Sequence, residues 1–184
     1  MDKLSAFSSE AFNFKGLVAQ NEFPNANHVH DLILNRLENV DASLSEAAFY
    51  HFETPGKMLR AKMAIQSASL AEIDTSISLL WAAAVEVLHN ASLIHDDICD
   101  GDKQRRGRSS IWVKFGQDTA LTLGDWLIAL SFELASEAAE MSNTPRLVGI
   151  LARHMATTTA GQAMEFRWDS TQSWDVYLKI AADK

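Results

Sequence analysis

The stretch "LLWAAAVEVLHNASLI", residues 79–94, constrains the fold more than any other, because it is apolar on nearly every face of a helix. A helix of that kind must be wrapped by neighbours, since a partner on one side alone would leave apolar faces in water. The rest of the chain supplies such neighbours. Apolar residues recur at helical spacing in "NANHVHDLILNRLENV", and strand-like alternation is almost absent. Ser43 and Glu46 predict a capping box ahead of "AAFYHF". Thr54-Pro55 predicts an N-cap with proline in the first turn, opening a helix that runs to Glu72. The central helix is predicted from Thr75 to Asp100, with Gly101 as its stop. Asp118 is predicted to cap a long helix to Met141. Asn143-Thr144-Pro145 then breaks the chain before a helix to Trp168 and a last one from Trp174. The expected fold is all-α, a bundle of about seven helices forming one domain over residues 1–184, with residues 1–27 as an irregular or helical entry segment.

Composition narrows the function classes. With 184 residues and 47% hydrophobic content, the chain can bury a substantial core. A net charge of −8 argues against general nucleic-acid or anionic-membrane binding, so an anionic ligand would need a local positive cluster. The single cysteine, Cys99, provides no disulfide framework and favours a reducing, cytoplasmic setting. The first twenty residues lack the apolar run of a signal peptide. The run "WLIALSF" (126–132) is too short to cross a bilayer. A soluble chain without stable membrane insertion is expected. "WDVYLKIAADK" keeps its amphipathic pattern to the last residue, which reads as a helix, and a chain, interrupted.

Chemistry concentrates in "HDDICDGDKQRRG" (95–107). Asp96 and Asp100 are four apart at the C-terminal end of the central helix, so their carboxylates share a face. They repel each other and oppose the helix dipole, an arrangement that a cation would offset. Oxygen ligands that leave room for water and phosphate suit Mg²⁺. Asp97 points about 100° away around the helix and is expected to act as a hydrogen-bonding partner. Adjacent Arg105 and Arg106 can grip two different phosphate groups. In "TPGKMLR", Gly56, Lys57 and Arg60 would place a close-approach glycine and two cations on the first turns of a helix, whose free N–H groups favour anions. His89 lies two turns before Asp96 on the same face and could donate to a phosphate oxygen. Each of these features has an ordinary alternative: a solvated acidic helix end, a basic loop, a core histidine. Two helix ends loaded with the electrostatically wrong charge are harder to explain without ligands.

In these residues the chain resembles the trans-isoprenyl diphosphate synthases, or polyprenyl synthetases, over about residues 30–184. "GKMLRAKM" is similar to that family's isopentenyl diphosphate motif, and "LHNASLIHDDICDGDKQRRGRSS" to its first aspartate-rich region with the arginine pair. "KFGQDTALTLGDWLIA", "AGQAMEF" and "YLKIAADK" resemble further family segments in the same order. The resemblance implies an isoprenoid-synthase-type bundle and a prenyl transfer. An allylic diphosphate would be held through Mg²⁺ on Asp96 and Asp100, with Arg105 on its phosphates. Isopentenyl diphosphate would be held by Gly56, Lys57, Arg60, His89 and Arg106. Gln162 and Lys184 match positions lining the reacting carbon. A homodimer or hetero-oligomer is expected as well.

Pro55 and Ala61 depart from the family pattern, and the acidic residues after Asp125 form no second aspartate-rich motif. The expectation is therefore a bundle truncated before its last helices. A non-catalytic or partner-dependent subunit of a hetero-oligomeric synthase is the alternative, and a class I terpene cyclase or a ligand-free scaffold ranks lower. The growing product is expected to run along the aspartate helix past the small Ala91 and Ser92, then Leu88 and Ala84, with Trp81 as a floor.

Overall fold

In the computed structural model, which describes residues 24–167 and 173–183, the all-round apolar run becomes the middle of a 25-residue helix. In chain order the helices are α1 (Ala26–Leu37), α2 (Ala42–Phe52), α3 (Leu59–Leu70), α4 (Thr75–Cys99), α5 (Ile111–Phe115), α6 (Gln117–Met141), α7 (Arg146–Glu165) and α8 (Trp174–Asp183). Between α4 and α5 a minimal antiparallel hairpin pairs β1 (Gln104–Arg105) with β2 (Arg108–Ser109), Arg105 opposite Arg108. The architecture is all-α, with eight helices among the described residues rather than seven. The additional one, α5, is a single short helix that Gly116 ends with a φ of +93°.

Helix α4 is the centre of the packing. Leu79, Leu80, Ala83, Val87, Ala91 and Ile94 are buried, and α6 runs along it as its most extensive neighbour, with α1 and α3 on other sides. Among the described residues α4 is the one helix long and apolar enough to cross a membrane. However, 61% of its most apolar window is buried inside the bundle, which is the signature of a core helix.

The helix starts differ from expectation in two places. Helix α2 is capped by Asp41, whose carboxylate accepts from the Ser43 backbone N–H (2.9 Å) and hydroxyl (2.6 Å). Ser43 is thus a donor to the cap rather than the cap itself, because Asp41 reaches the free N–H first. Helix α3 opens at Leu59, not at Pro55, because Met58 adopts a left-handed φ of +48° and breaks any helical path from Thr54. Lys57 therefore sits in a loop ahead of the helix. The predicted end at Trp168 falls outside the described residues, as do Lys184 and residues 1–23; α7 ends at Glu165.

Three contacts bind the layers. Arg36 of α1 donates from both terminal nitrogens to the two carboxylate oxygens of Glu137 on α6, each at 2.6 Å, with the Arg36 side chain 13% exposed. A bidentate, largely desolvated pair fixes orientation as well as distance. Helices α4 and α6 approach closely where Gly124 lies under the His95 ring, so that a Cβ at position 124 would overlap the imidazole. Farther along, the Ser131 hydroxyl donates to the Ala84 carbonyl (2.9 Å).

Gly124→Val should accordingly lower stability by about 1–3 kcal/mol through overpacking. Thermal unfolding of Gly124→Val, His95→Ala and the double variant checks this. Removing the ring should recover part of the loss, whereas strictly additive effects would show that His95 is not what occupies the space.

Candidate functional site

The site is organised by a buried carboxylate at the end of α4. Asp97 is 2% exposed, and Arg105 lies across it: the Arg105 Nε donates to Asp97 Oδ1 at 2.7 Å, with a terminal nitrogen at 2.5 Å. This hydrogen bond, ahead of burial, sets the Arg105 titration and holds its pKa above the ordinary guanidinium value. Part of the donor fork of Arg105, the arginine expected on the allylic phosphates, is committed to Asp97. The pair also turns the chain after Gly101 (φ +69°) back over the helix end, and the Asp102 N–H donates to the Asp97 carbonyl at 2.9 Å.

The hairpin sends its two arginines apart, because Arg105 ends the strand and Arg106 opens the two-residue turn that follows it. Arg106, at a left-handed φ of +53°, turns inward. One terminal nitrogen donates to the Thr54 carbonyl (2.6 Å) and the other to Asn90 Oδ1 (3.2 Å). Its guanidinium lies over Gly56, where a Cβ would come within 2.9 Å of it. A glycine at 56 thus admits the arginine. On the outer side, Tyr50 is sandwiched by the Arg108 guanidinium (3.9 Å to the ring centroid) and the Lys114 ammonium (3.8 Å). Arg108 also meets Glu53 at 2.7 Å, and the Tyr50 hydroxyl donates to the Ser109 carbonyl at 3.1 Å. Cation–π contacts at these distances are worth about 0.5–1 kcal/mol each at exposed positions, enough together to steady a short hairpin.

Around α3 the expectation is met only in part. Arg60 is in the first helical turn, but Lys57 is exposed in the loop before it. The free N–H groups of the helix start are not all available, because the Ala61 N–H donates to Glu86 Oε2 (3.2 Å), a side chain on α4 that is 3% exposed. A protein carboxylate already serves that helix dipole. Asp96 is half-buried and Asp100 exposed at the end of α4, the latter as its C-cap with its N–H on the Asp96 carbonyl (2.8 Å). Among the described residues no group of three or more His, Cys, Asp and Glu side chains converges. Two carboxylates nevertheless fit Mg²⁺, which keeps several waters and uses one or two carboxylates beside substrate phosphates.

His89 registers the convergence of charge. Burial first, then Arg60, Arg106 and Arg105 in that order, push its pKa down to about 4. His51, which sequence reasoning missed, is likewise pushed to about 4, chiefly by burial and also by Arg106, Arg105 and His89. Its Nε2 lies 3.0 Å from Asn90 Oδ1. No signal short of three-dimensional packing could have singled out His51, Asn90, Glu86 or Tyr50, which look like incidental polar residues in helices. Gln162 stands apart from this cluster on α7, which packs mainly on α6 and α8. Both polar atoms of its amide are shielded from solvent without a hydrogen-bond partner among the described residues. Lys184 lies outside those residues.

Comparison with known proteins agrees with the architecture. The polyprenyl synthetase family profile matches residues 41–184, so the chain belongs to that family. It is 36% identical over 147 residues to a geranylgeranyl diphosphate synthase of Saccharolobus solfataricus, an alignment covering 78% of this chain and 44% of that protein. It is 30% identical to a nonaprenyl diphosphate synthase of Mycobacterium tuberculosis, across 85% of this chain and 46% of that one. Among solved structures it superposes on the geranylgeranyl pyrophosphate synthetase of Geoglobus acetivorans with a TM-score of 0.77 at 32% identity, covering 86% of this chain and 53% of that one. A polyprenyl synthase of Caulobacter crescentus complexed with calcium and isoprenyl diphosphate gives the same TM-score at 33% identity, over 84% and 46% of the two chains. The chain spans somewhat less than half the length of the curated relatives it matches.

The two depressed histidines make stability depend on pH with a definite sign. Unfolded, each takes up its proton near 6.5; folded, only near 4. Below about pH 6.5 the unfolded chain binds protons that the folded one refuses, so stability is full above that value and declines toward about pH 4. Urea midpoints should be level from about pH 8 to 7 and fall below about 6.5. His51→Gln should flatten the fall, and an unchanged slope in that variant would show that His51 protonates freely in the folded state.

Proposed function

We propose that the protein is a Mg²⁺-dependent prenyltransferase of the isoprenyl diphosphate synthase type, joining an allylic diphosphate to isopentenyl diphosphate. One observation carries this reading: the Asp96/Asp100 helix end stands next to a cluster of cations, Arg60, Arg105 and Arg106, gathered around His89. Acidic and basic groups set side by side suit a metal-bridged diphosphate next to a second diphosphate.

Asp96 and Asp100 would hold the metal. Mg²⁺ supplies charge neutralisation of the departing diphosphate. The donors of Arg105 not engaged by Asp97 face the same anion. Lys57, Arg60 and Arg106 would hold isopentenyl diphosphate, with the bare backbone of Gly56 admitting close approach and neutral His89 donating one N–H. In the reaction the allylic C–O bond would ionise to an allylic cation, the alkene carbon would then bond to it, and the proton lost from the adduct would go to the released diphosphate. The protein's part is to fix the two substrates and stabilise the charge that develops. Gln162 and Lys184 stay in this reading as groups near the reacting carbon. The shielded, unpartnered amide of Gln162 supports a role toward ligand, since leaving such a group unpaired costs about 1–3 kcal/mol. Self-association or assembly with a longer partner and a cytoplasmic location belong to the same proposal.

The expected path of the hydrocarbon tail needs one correction. Ala91 and Ala84 are 1% and 0% exposed and lie in the core. Ala84 is on the α6 side, where its carbonyl receives the Ser131 hydroxyl. The half-open face leading to Asp96 is Trp81, Val85, Leu88 and Ser92, spaced four, three and four residues apart, and this is where a prenyl tail would lie. Ala91→Phe should therefore destabilise the fold by about 1–3 kcal/mol through overpacking, seen as a lower thermal midpoint, rather than act on product length. A fully stable Ala91→Phe protein would restore the original path.

Calorimetry with geranyl diphosphate and isopentenyl diphosphate, with and without Mg²⁺, tests the assignment. Asp96→Asn or Asp100→Asn should severely weaken the Mg²⁺-dependent binding of geranyl diphosphate. Lys57→Ala, Arg60→Ala or Arg106→Ala should each cost roughly 1.5–3 kcal/mol, mainly on isopentenyl diphosphate. Metal-independent binding that survives both aspartate changes would overturn the reading.

A further inference from the structure

We propose that Asn90 is a positioning residue that locks Arg106 to the loop bearing Gly56 and Lys57, so that the two cationic arms of the site act as one unit. This rests on the diphosphate reading above and adds a residue that touches neither substrate.

Asn90 is 2% exposed on α4, one residue after His89. Its Nδ2 donates to the Glu86 carbonyl (2.8 Å), with Glu86 Oε1 at 3.5 Å. Its Oδ1 faces two groups at once, the Arg106 terminal nitrogen at 3.2 Å and His51 Nε2 at 3.0 Å. The amide orientation follows from chemistry: guanidinium is donor-only, so the atom facing Arg106 must be the oxygen. An oxygen that accepts from Arg106 has no hydrogen to offer His51, so His51 must carry its proton on Nε2. The low pKa of the buried ring agrees with a neutral imidazole there.

Three segments meet at this amide. The first is the stretch around His51 and Thr54, whose carbonyl takes the other end of Arg106 at 2.6 Å. The second is the start of α3, reached through Glu86 and the Ala61 N–H. The third is the arginine hairpin. Arg106 and Gly107 form the two-residue loop of the hairpin, with φ of +53° and +76° as such a turn requires, and this turn carries Arg106 off the strand. The Asn90 oxygen, the Thr54 carbonyl and the bare backbone of Gly56 then receive its guanidinium.

The test uses the whole chain with inorganic pyrophosphate as probe in the absence of Mg²⁺, so that binding reads the Lys57, Arg60 and Arg106 arm. Asn90→Leu should weaken pyrophosphate binding about tenfold, the scale of a single charge-assisted hydrogen bond. In an Arg106→Ala background the same change should add less than about twofold, because its effect runs through Arg106. Equal weakening in both backgrounds overturns the inference and leaves the diphosphate reading intact. No pyrophosphate binding by the unmodified protein overturns both. Should Asn90→Leu fail to fold, Asn90→Thr with the same pair of backgrounds takes its place. Independently, ¹⁵N imidazole spectra of the unmodified protein should show His51 as the Nε2–H tautomer at neutral pH, and the Nδ1–H tautomer would overturn the geometry on which the inference stands.

Discussion

The arrangement of the site depends on a single ion pair. Asp97 is buried at the C-terminal end of α4, where the helix dipole already disfavours negative charge. It is tolerable there because Arg105 lies across it. Removing one member of such a pair strands the other in a poorly solvated place, which typically costs about 3–5 kcal/mol. By satisfying Asp97, Arg105 also fixes the hairpin over the helix end, and the tight Arg106-Gly107 turn that follows it is fixed with it. Arg106 then points the other way, into Gly56 and Asn90. One structural pair therefore aims a cation at the candidate substrate site.

Much of the fold was legible because burial writes itself into sequence on all sides of α4. A run that is apolar all round admits few solutions, and the bundle around it follows. The beginnings of helices were less legible, since several residues compete for each cap. Asp41 displaces Ser43 because the helix begins two residues earlier, at Ala42, where the Asp41 carboxylate accepts from the Ser43 N–H. At α3 the proline signal misled, because Met58 takes the left-handed conformation that ends the path from Thr54. Nothing in methionine's chemistry predicts that. The neighbouring Gly56 is not the source of the turn but the floor under Arg106.

The candidate site divides in the same way. The charged residues Lys57, Arg60, Asp96, Asp100, Arg105 and Arg106 announce themselves by breaking electrostatic rules at helix ends. Uncharged or compensated residues do not. Glu86, Asn90 and His51 are ordinary letters in helical segments, and only their burial beside one another turns them into a network. Tyr50 gains meaning only from the two cations stacked on its faces, which lie far along the chain. Sequence spacing finds partners within one element; it cannot find those that the packing of α2, α3 and α4 brings together.

The charge around α4 implies a division of labour between stability and ligand. At the inner side the costly groups are matched within the protein: Asp97 by Arg105, and Glu86 by the start of α3. At the rim, Asp96 and Asp100 stand at the wrong end of a dipole while Arg60 lies at the wrong end of another. Histidine side chains between the two zones are held neutral, since a further positive charge beside three arginines would raise the cost again. In the proposed reading a metal ion and anionic substrates would lower the electrostatic cost at the rim further, and the two would bind cooperatively, because the cation would lower the repulsion among carboxylates as the anion lowered that among arginines.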